Sequence, residues 1–481
     1  MPPTHCPRRT SLPALVMLGM SVMLAACSGD ASGPPTAPGA TGAGAAASRE
    51  SHRPHGGAVR DAVLAGHAQG IAAAPMLVPP GAPLAPFVEA RLHAITNVAM
   101  HDALNAVEPR YARYADTGPI DRHANATAAV LTAAHDAIAG AAPGATASVD
   151  AWYAGAIGAL AGEEGVAQGV TIGHRAAAAI LARRAADGVA AGGVAPYVPG
   201  TGPGDYRFTF PFNTSGFDFF GTGGFADASN WAGTVQPFVV RSASQFRAPP
   251  PYGAMTNAAA VRTARYTADF NEVKALGCTG CAARTADQTE IARFWLENSP
   301  AGWNRVARVI AEQRHLDGAE TARLLAVLQM GEFDAYTTSL ESKYHYAFWR
   351  PVTAVALAGS DGNPRTEPAS DWQVLAFPTP PVPDYPSAHS TAGGAAAAII
   401  EALVPGRDRG FSTTSGSLPG VTRSFRSVGQ AARENADSRV FVGYHFRHAT
   451  DVGVAQGRAV GSWLARRSLL PLDDEREEHD R

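Results

Sequence analysis

Three short stretches in the second half of the chain carry the residues that could do chemistry, and all three suit an anion. The first is Lys343-Tyr-His-Tyr-Ala-Phe-Trp-Arg350-Pro351, closing a run that reads as one helix from about Ala319 to Trp349. Leu324, Leu325 and Leu328 give that run an apolar stripe at helical spacing. Lys343 and Arg350 stand seven apart, so on a continuous helix both project from nearly the same face. Pro351 disfavours helix at Arg350 and is expected to end the element there. Two cations side by side among aromatic and imidazole rings want an anion between them.

The second stretch is Pro381-Val-Pro-Asp384-Tyr385-Pro386-Ser387-Ala388-His389-Ser390-Thr391. Its prolines keep the approach extended, and Ala392 to Val404 reads as a buried, alanine-rich helix. Ser387, Ala388 and His389 then sit where a helix begins, with unpaired N–H groups and the positive end of the dipole. Taken alone, an ordinary N-cap with a surface histidine accounts for the same residues. The third stretch runs from Asp437 through Ser438, Arg439, Gly443, Tyr444, His445, Arg447 and His448 to Asp451. Arg439 and His445 are six apart and would face different ways on one helix. Gly443 offers a break, Thr450 and Asp451 look like the cap of a following helix, and His445 belongs at the bend. His445-x-x-His448 lacks a third ligand at zinc spacing, so zinc is a weak reading.

The elements that must position these groups are helical. Val88, Leu92, Ile95, Ala99 and Ala103 form one stripe, and further helices cover about 125–140, 149–163 and 166–187, the last stopped by Gly188. Thr285-Ala-Asp-Gln288 reads as a capping box opening a helix through Phe294 and Trp295 to Pro300, and Ser427-Val-Gly-Gln430 has the same form. No run alternates with period two for long. Residues 189–270 are rich in Gly, Pro and aromatics, including Tyr206, Phe208, Phe210, Phe212, Phe217, Phe219 and Phe220. A connection that long is uncommon unless functional. Its aromatics imply that it packs across a surface, between a front and a rear group of helices.

The formal charge of the 481 residues is −3, which gives no support to bulk nucleic-acid binding, so a cationic site must be local. Arg8 and Arg9, the apolar run Leu12–Leu24 and the sequence Leu24-Ala-Ala-Cys27-Ser28 make an export signal. That signal resembles a bacterial lipoprotein leader, which implies cleavage before Cys27 and a lipid on its thiol. The expectation is an exported protein whose only tie to a membrane is that N-terminal lipid, at the periplasmic or outer-membrane face of the envelope. Residues 28–56 read as a flexible Gly/Ala/Pro linker, 57–470 as the folded domain with its catalytic part at about 319–468, and 471–481 as a charged tail. No stretch after the leader approaches a membrane span. Cys278 and Cys281 lack the second pair of a structural zinc site and the strand–helix context of a redox motif. They read as a disulfide closing a surface loop.

Together, Lys-x6-Arg-Pro, Pro-Ser-x-His and Ser-Arg-x5-His, in that order, resemble the superfamily of vanadium-dependent haloperoxidases and type-2 phosphatidic acid phosphatases. Phe270-Asn-Glu-Val-Lys274 and Thr285-Ala-Asp-Gln-Thr289 look like its bacterial haloperoxidase-like branch, and the resemblance spans about 85–468. It implies an all-α fold of two packed helical bundles with the Gly/Pro/aromatic-rich loop lying across them, often dimerised. It implies that Lys343, Arg350, Ser387, the N–H near Ala388, and Arg439 hold vanadate or phosphate. His445 would be the axial partner, bonded to vanadium or attacking phosphorus, and His389 the acid–base residue. The implied substrates are hydrogen peroxide and a halide, or a phosphate ester, with no cofactor in the second case. A helical envelope scaffold with a weak site is a third reading. Two positions depart from the pattern: Ala388 replaces a glycine, and Ala449 stands where an acidic residue often follows the axial histidine. What orients His445 is therefore open, with Asp451 a candidate.

Overall fold

The computed structural model describes residues 55–80, 84–189, 197–213, 233–404, 406 and 410–472. The leader, most of the linker, Phe217, Phe219, Phe220 and the tail from 473 lie outside them. Long apolar or small-residue runs become helices, as their periodicity requires. The front group is α1 (His55–Ala73), α2 (Pro86–Val107), α3 (Ala126–Ala141), α4 (Thr146–Gly158) and α5 (Val166–Arg184). α2 is buried on nearly every side, with Ile95, Ala99 and Ala103 fully covered and polar residues such as His93, Asn97 and Asp102 buried beside them.

The rear group follows a short α6 (Asn257–Ala260) and α7 (Ala264–Leu276). It comprises α8 (Ala286–Phe294), α9 (Ser299–Gln313), α10 (Gly318–Tyr346), α11 (Pro351–Leu357), α12 (Ala388–Leu403), α13 (Val428–Phe441) and α14 (Arg447–Ala465). α14 lies on α12 because Gly453, Gly457 and Gly461 present no side chains there. A Cβ at Gly457 would sit 1.9 Å from the Thr391 carbonyl, so any larger residue forces the helices apart. α10 is the wall shared by the two groups, packing on α2 from one side and α12 from the other. Leu324, Leu325, Leu328 and Phe333 on it are fully covered, each burial contributing roughly 1.5–3 kcal/mol.

Several boundaries differ from the sequence reading, each for a local reason. α10 ends at Tyr346, where Ala347 turns left-handed (φ 47°), so Lys343 and Arg350 do not share one helix. Pro351 does not close that helix but opens α11 at its first position, where its missing N–H costs nothing. The Thr285 capping box forms, yet its helix stops at Phe294, and Pro300 sits in the first turn of α9. Ser427 caps α13 through Gln430 N–H, but Gln430 Oε1 accepts from Arg426 rather than Ser427, so half of that box is present. α14 begins at Arg447, before Thr450, because Asp269 accepts the His448 N–H at 2.8 Å and supplies the cap from α7. A two-stranded hairpin, β1 (Phe411–Thr414) with β2 (Thr422–Phe425), pairs antiparallel with Phe411 opposite Phe425. α5 ends at Arg184, a turn short of Gly188.

The long connection packs across the surface where it is described, and it is not structureless, since α6 and the start of α7 lie within it. Asp334 of α10 accepts the Phe238, Val239 and Val240 N–H groups and pins that segment to the wall helix. Further back, Tyr206 N–H donates to the Ala347 carbonyl and Trp349 N–H to the Gly204 carbonyl, both at 2.8 Å. The loop thus braces the turn between Lys343 and Arg350. Cys278 and Cys281 are disulfide-bonded. Residues 470–472 pair with 110–112, so the first positions of the expected tail are held. No helix among the described residues is long and apolar enough to cross a membrane.

Candidate active site

Lys343, Arg350, His389, Arg439 and His445, which the sequence puts on three separate stretches, line one cavity of about 280 Å³ together with Ala388. Lys343 reaches it from the last turn of α10. Its ammonium donates to the carbonyls of Pro383 (2.6 Å) and Asp384 (3.0 Å). Arg350, N-cap of α11, donates from Nε to the Val382 carbonyl (2.7 Å) and from Nη1 to the Tyr444 carbonyl (2.9 Å). Arg439, in the last turn of α13, donates to the Trp295 carbonyl (2.9 Å) and lies 4.9 Å from the Tyr444 ring centre. All three cations are at most 5% exposed. None of them forms an ion pair, and Asp384 is the acidic group that acts on Lys343 and Arg350. Burial pushes the Lys343 ammonium well below its ordinary value, with Arg350 beside it adding to the shift, and Arg439 falls to about 10 for the same first reason.

Ser387 is the N-cap of α12, its hydroxyl accepting the Ser390 N–H and the Ser390 hydroxyl. Ala388 is the first helical residue, so no positive φ is needed there and alanine stands in for glycine without strain. Gly443 does need one (φ 86°), and the break it makes after α13 turns the chain so that His445 returns to the cavity that Arg439 faces.

His445 is 4% exposed and held at both nitrogens. Nδ1 lies 2.9 Å from Asp384 Oδ1, and Nε2 lies 2.9 Å from Arg350 Nη1. A guanidinium only donates, so Nε2 is the accepting nitrogen and Nδ1–H points at the carboxyl. The Nε2 lone pair thus accepts from Arg350 at the cavity wall. Asp384 answers the question of orientation, and Asp451 does not, being paired with Arg433 and Arg265 on the surface. The sequence reading quoted Asp384 but gave it no role; an acidic residue fixed between two prolines, three positions before the helix cap, was the available signal. Burial raises the Asp384 carboxyl to about 7 against the pull of Arg350 and Lys343. Ser299, also missed, approaches His389 Nδ1 at 3.0 Å from the start of α9. His389 is held well below its ordinary value by burial and by Arg439, so it is neutral near pH 7. His448, three positions after His445, stacks on Tyr385 (ring centres 5.3 Å apart) and is not among the cavity-lining residues. The described residues hold no cluster of three metal-ligating side chains.

Would an oxyanion fit? Arg439 Nε, His389 Nε2 and Asp384 Oδ2 are buried without partners. With three cations lacking ion pairs and the N–H groups that open α12, the donor set matches a tetrahedral anion and leaves polar atoms unsatisfied without one.

A family model for the VCPO second helical-bundle domain matches residues 323–471, the stretch that carries all of these cavity residues. That stretch is therefore similar to the second helical bundle of the vanadium chloroperoxidases, and the chain spans less than half the length of the curated relative it matches. The chain is similar to the vanadium chloroperoxidase of Curvularia inaequalis, 26% identical over 279 residues, a match covering 44% of each protein. A bacterial vanadium-dependent iodoperoxidase structure superposes with TM-score 0.71 at 22% identity, covering 86% of this chain and 98% of that one. The holo form of a bacterial vanadium-dependent chloroperoxidase gives 0.63 at 18% identity, over 82% and 94%. The fold is thus that of the bacterial vanadium haloperoxidases, and the sequence resemblance to that group is borne out.

Proposed function

We propose that this chain is a vanadium-dependent haloperoxidase that oxidises a halide with hydrogen peroxide at the cavity between α10, α12 and α13. One observation carries the reading: three buried cations without ion pairs surround the lone pair of an imidazole whose other nitrogen is fixed. Lys343, Arg350, Arg439, Ser387, His445 Nε2 and the N–H groups at Ala388 and His389 would hold vanadate. Vanadate, when bound, would supply Lewis acidity toward peroxide. Asp384 keeps the His445 ring turned, with Arg350 Nη1 at its Nε2. The fixed cations and dipoles stabilise developing charge without reorganising. His389, neutral and open at Nε2, moves a proton to or from an oxygen in the cavity. Overall, halide and peroxide with one proton give hypohalous acid and water, the halide losing two electrons to the oxygen–oxygen bond.

The leader-like residues 1–27 support export and a lipid anchor at the envelope, and nothing in the charge supports a nucleic-acid partner. The test uses protein lacking those residues, loaded with orthovanadate and assayed for bromide-dependent halogenation with peroxide. Vanadate-dependent turnover that disappears in His445→Ala supports the reading. Hydrolysis of a chromogenic phosphate ester by the vanadium-free protein, inhibited by vanadate, replaces it with a phosphatase in which His445 Nε2 attacks phosphorus. Silence in both assays leaves a helical scaffold.

A further inference from the structure

The two-stranded hairpin contributes no residue to the cavity wall, yet its side chains converge on the turn that holds Arg439. That turn runs from Trp295 to Asn298, between α8 and α9, and Leu296, Glu297 and Asn298 in it line the cavity. A helix ends with carbonyls that find no partner inside it. Three of those at the end of α8 are taken from outside. The Ser417 hydroxyl, just beyond β1, lies 2.8 Å from the Arg293 carbonyl and 2.9 Å from that of Phe294. The Ser415 hydroxyl donates to the Phe294 carbonyl as well. The third carbonyl, that of Trp295, accepts from Arg439 Nη1 at 2.9 Å.

Trp295 is itself firmly held. It is 2% exposed, and its ring lies 6.1 Å from Phe425 of β2 and 5.8 Å from Trp303 of α9. Its Nε1–H donates to Glu434 Oε1 at 3.1 Å, and Glu434 stands on α13 five residues before Arg439. Arg423 of β2 grips Glu434 with a fork, Nε to Oε1 at 2.7 Å and Nη2 to Oε2 at 3.0 Å. Such a fork fixes direction as well as distance. The same guanidinium donates from Nη1 to Glu290 (2.6 Å) and Asp287 (3.0 Å) on α8. Arg423 thereby ties β2 to α8 and α13, and the chain of contacts runs through Glu434 and Trp295 to Arg439.

With Nη1 on the Trp295 carbonyl and the Tyr444 ring centre 4.9 Å away, Arg439 is left with a buried Nε that has no partner. Moving the Trp295 carbonyl would turn the guanidinium and re-aim that donor. We propose that Arg423, Glu434 and Trp295 are positioning residues that set the direction in which Arg439 meets an oxyanion. The proposal rests on the reading of the cavity as an oxyanion site. None of the three is among the cavity-lining residues, so their effect on the anion passes through Arg439.

The test is a double-mutant cycle on the vanadium-free protein, read by calorimetry with orthovanadate and, separately, inorganic phosphate as probes. Glu434→Ala releases Arg423 and Trp295 Nε1 together, whereas Trp295→Phe keeps a buried ring and deletes only the N–H. Expected is about tenfold weaker vanadate binding in Glu434→Ala, with a smaller loss in Trp295→Phe and a shifted vanadium NMR line in both. In the Arg439→Ala background the same substitutions weaken binding no further, whereas a general loosening of the fold would add in either background. Arg423→Lys, which cannot fork, carries the same comparison should Glu434→Ala misfold. Wild-type affinity in the folded variants, or equal losses with and without Arg439, overturns the positioning role and leaves the oxyanion reading standing. A wild-type protein that binds neither vanadate nor phosphate overturns the oxyanion reading, and the positioning role with it. Coupled losses in a protein that binds vanadate without halogenating support the positioning role and overturn the haloperoxidase reading.

Discussion

The middle and the C-terminal end of α10 bury ionisable groups of opposite kind. At its C-terminal end Lys343 joins Arg350 and Arg439 around one cavity and, among the described residues, none of the three has an ion-paired carboxylate, while eleven residues earlier, roughly 16 Å along the helix, Glu332 is buried under the influence of Glu89. Each cluster is costly in a dry interior. They resolve the cost differently. The basic side chains donate to the carbonyls of Trp295, Val382, Pro383, Asp384 and Tyr444. Glu332 sheds charge by keeping a proton, burial raising its carboxyl to about 8.

The largest expected effect lies in the cage. His445→Ala removes the imidazole proposed to partner vanadate and should lower vanadate-dependent turnover by on the order of 10³-fold or more, measured as initial halogenation rate. Asp384→Ala tests the orientation of that ring alone. Losing a group that aims a ligand costs about 10–100-fold in vanadate retention or activity, and a variant that retains vanadate and rate like the wild type would sink the role given to Asp384.

The acidic end of α10 yields a pH prediction of definite sign. Glu332 binds its proton more tightly in the fold (about 8) than at its ordinary 4.5, so folding is favoured at low pH and stability declines as pH rises from about 4.5 through about 8. Glu332→Gln should flatten that decline by on the order of a few kcal/mol, read from denaturant midpoints at pH 5 and pH 8.5. A parallel slope in both proteins contradicts the protonated state. The smallest effect belongs to the disulfide loop, which carries none of the cavity-lining residues. Replacing Cys278 and Cys281 by serine opens a ring of few residues, costs roughly 2 kcal/mol or less, and leaves turnover unchanged.

What the sequence disclosed was whatever a local rule governs. Ser387 as a helix cap, the break at Gly443 and the Thr285 capping box each follow from a few neighbouring residues. The three basic stretches, grouped by their order in the sequence, line one cavity. Contacts across long separations were not legible: Asp384 meets His445 across 61 positions, Ser299 meets His389 across 90, and Asp269 caps α14 from 179 away. No periodicity encodes such pairings. The helix running on to Arg350 was misplaced because a proline can end one helix or begin another, and only the left-handed Ala347 decides. Strands of four residues fell below any pattern of alternation.

The most direct measurement is a titration of the vanadium-free protein with orthovanadate, followed by calorimetry and vanadium NMR and repeated with Arg439→Ala and His445→Ala. The cage predicts one vanadate per chain, displaced by excess phosphate and weakened at least about tenfold in either variant. Binding that is absent, not saturable, or indifferent to both substitutions would contradict it.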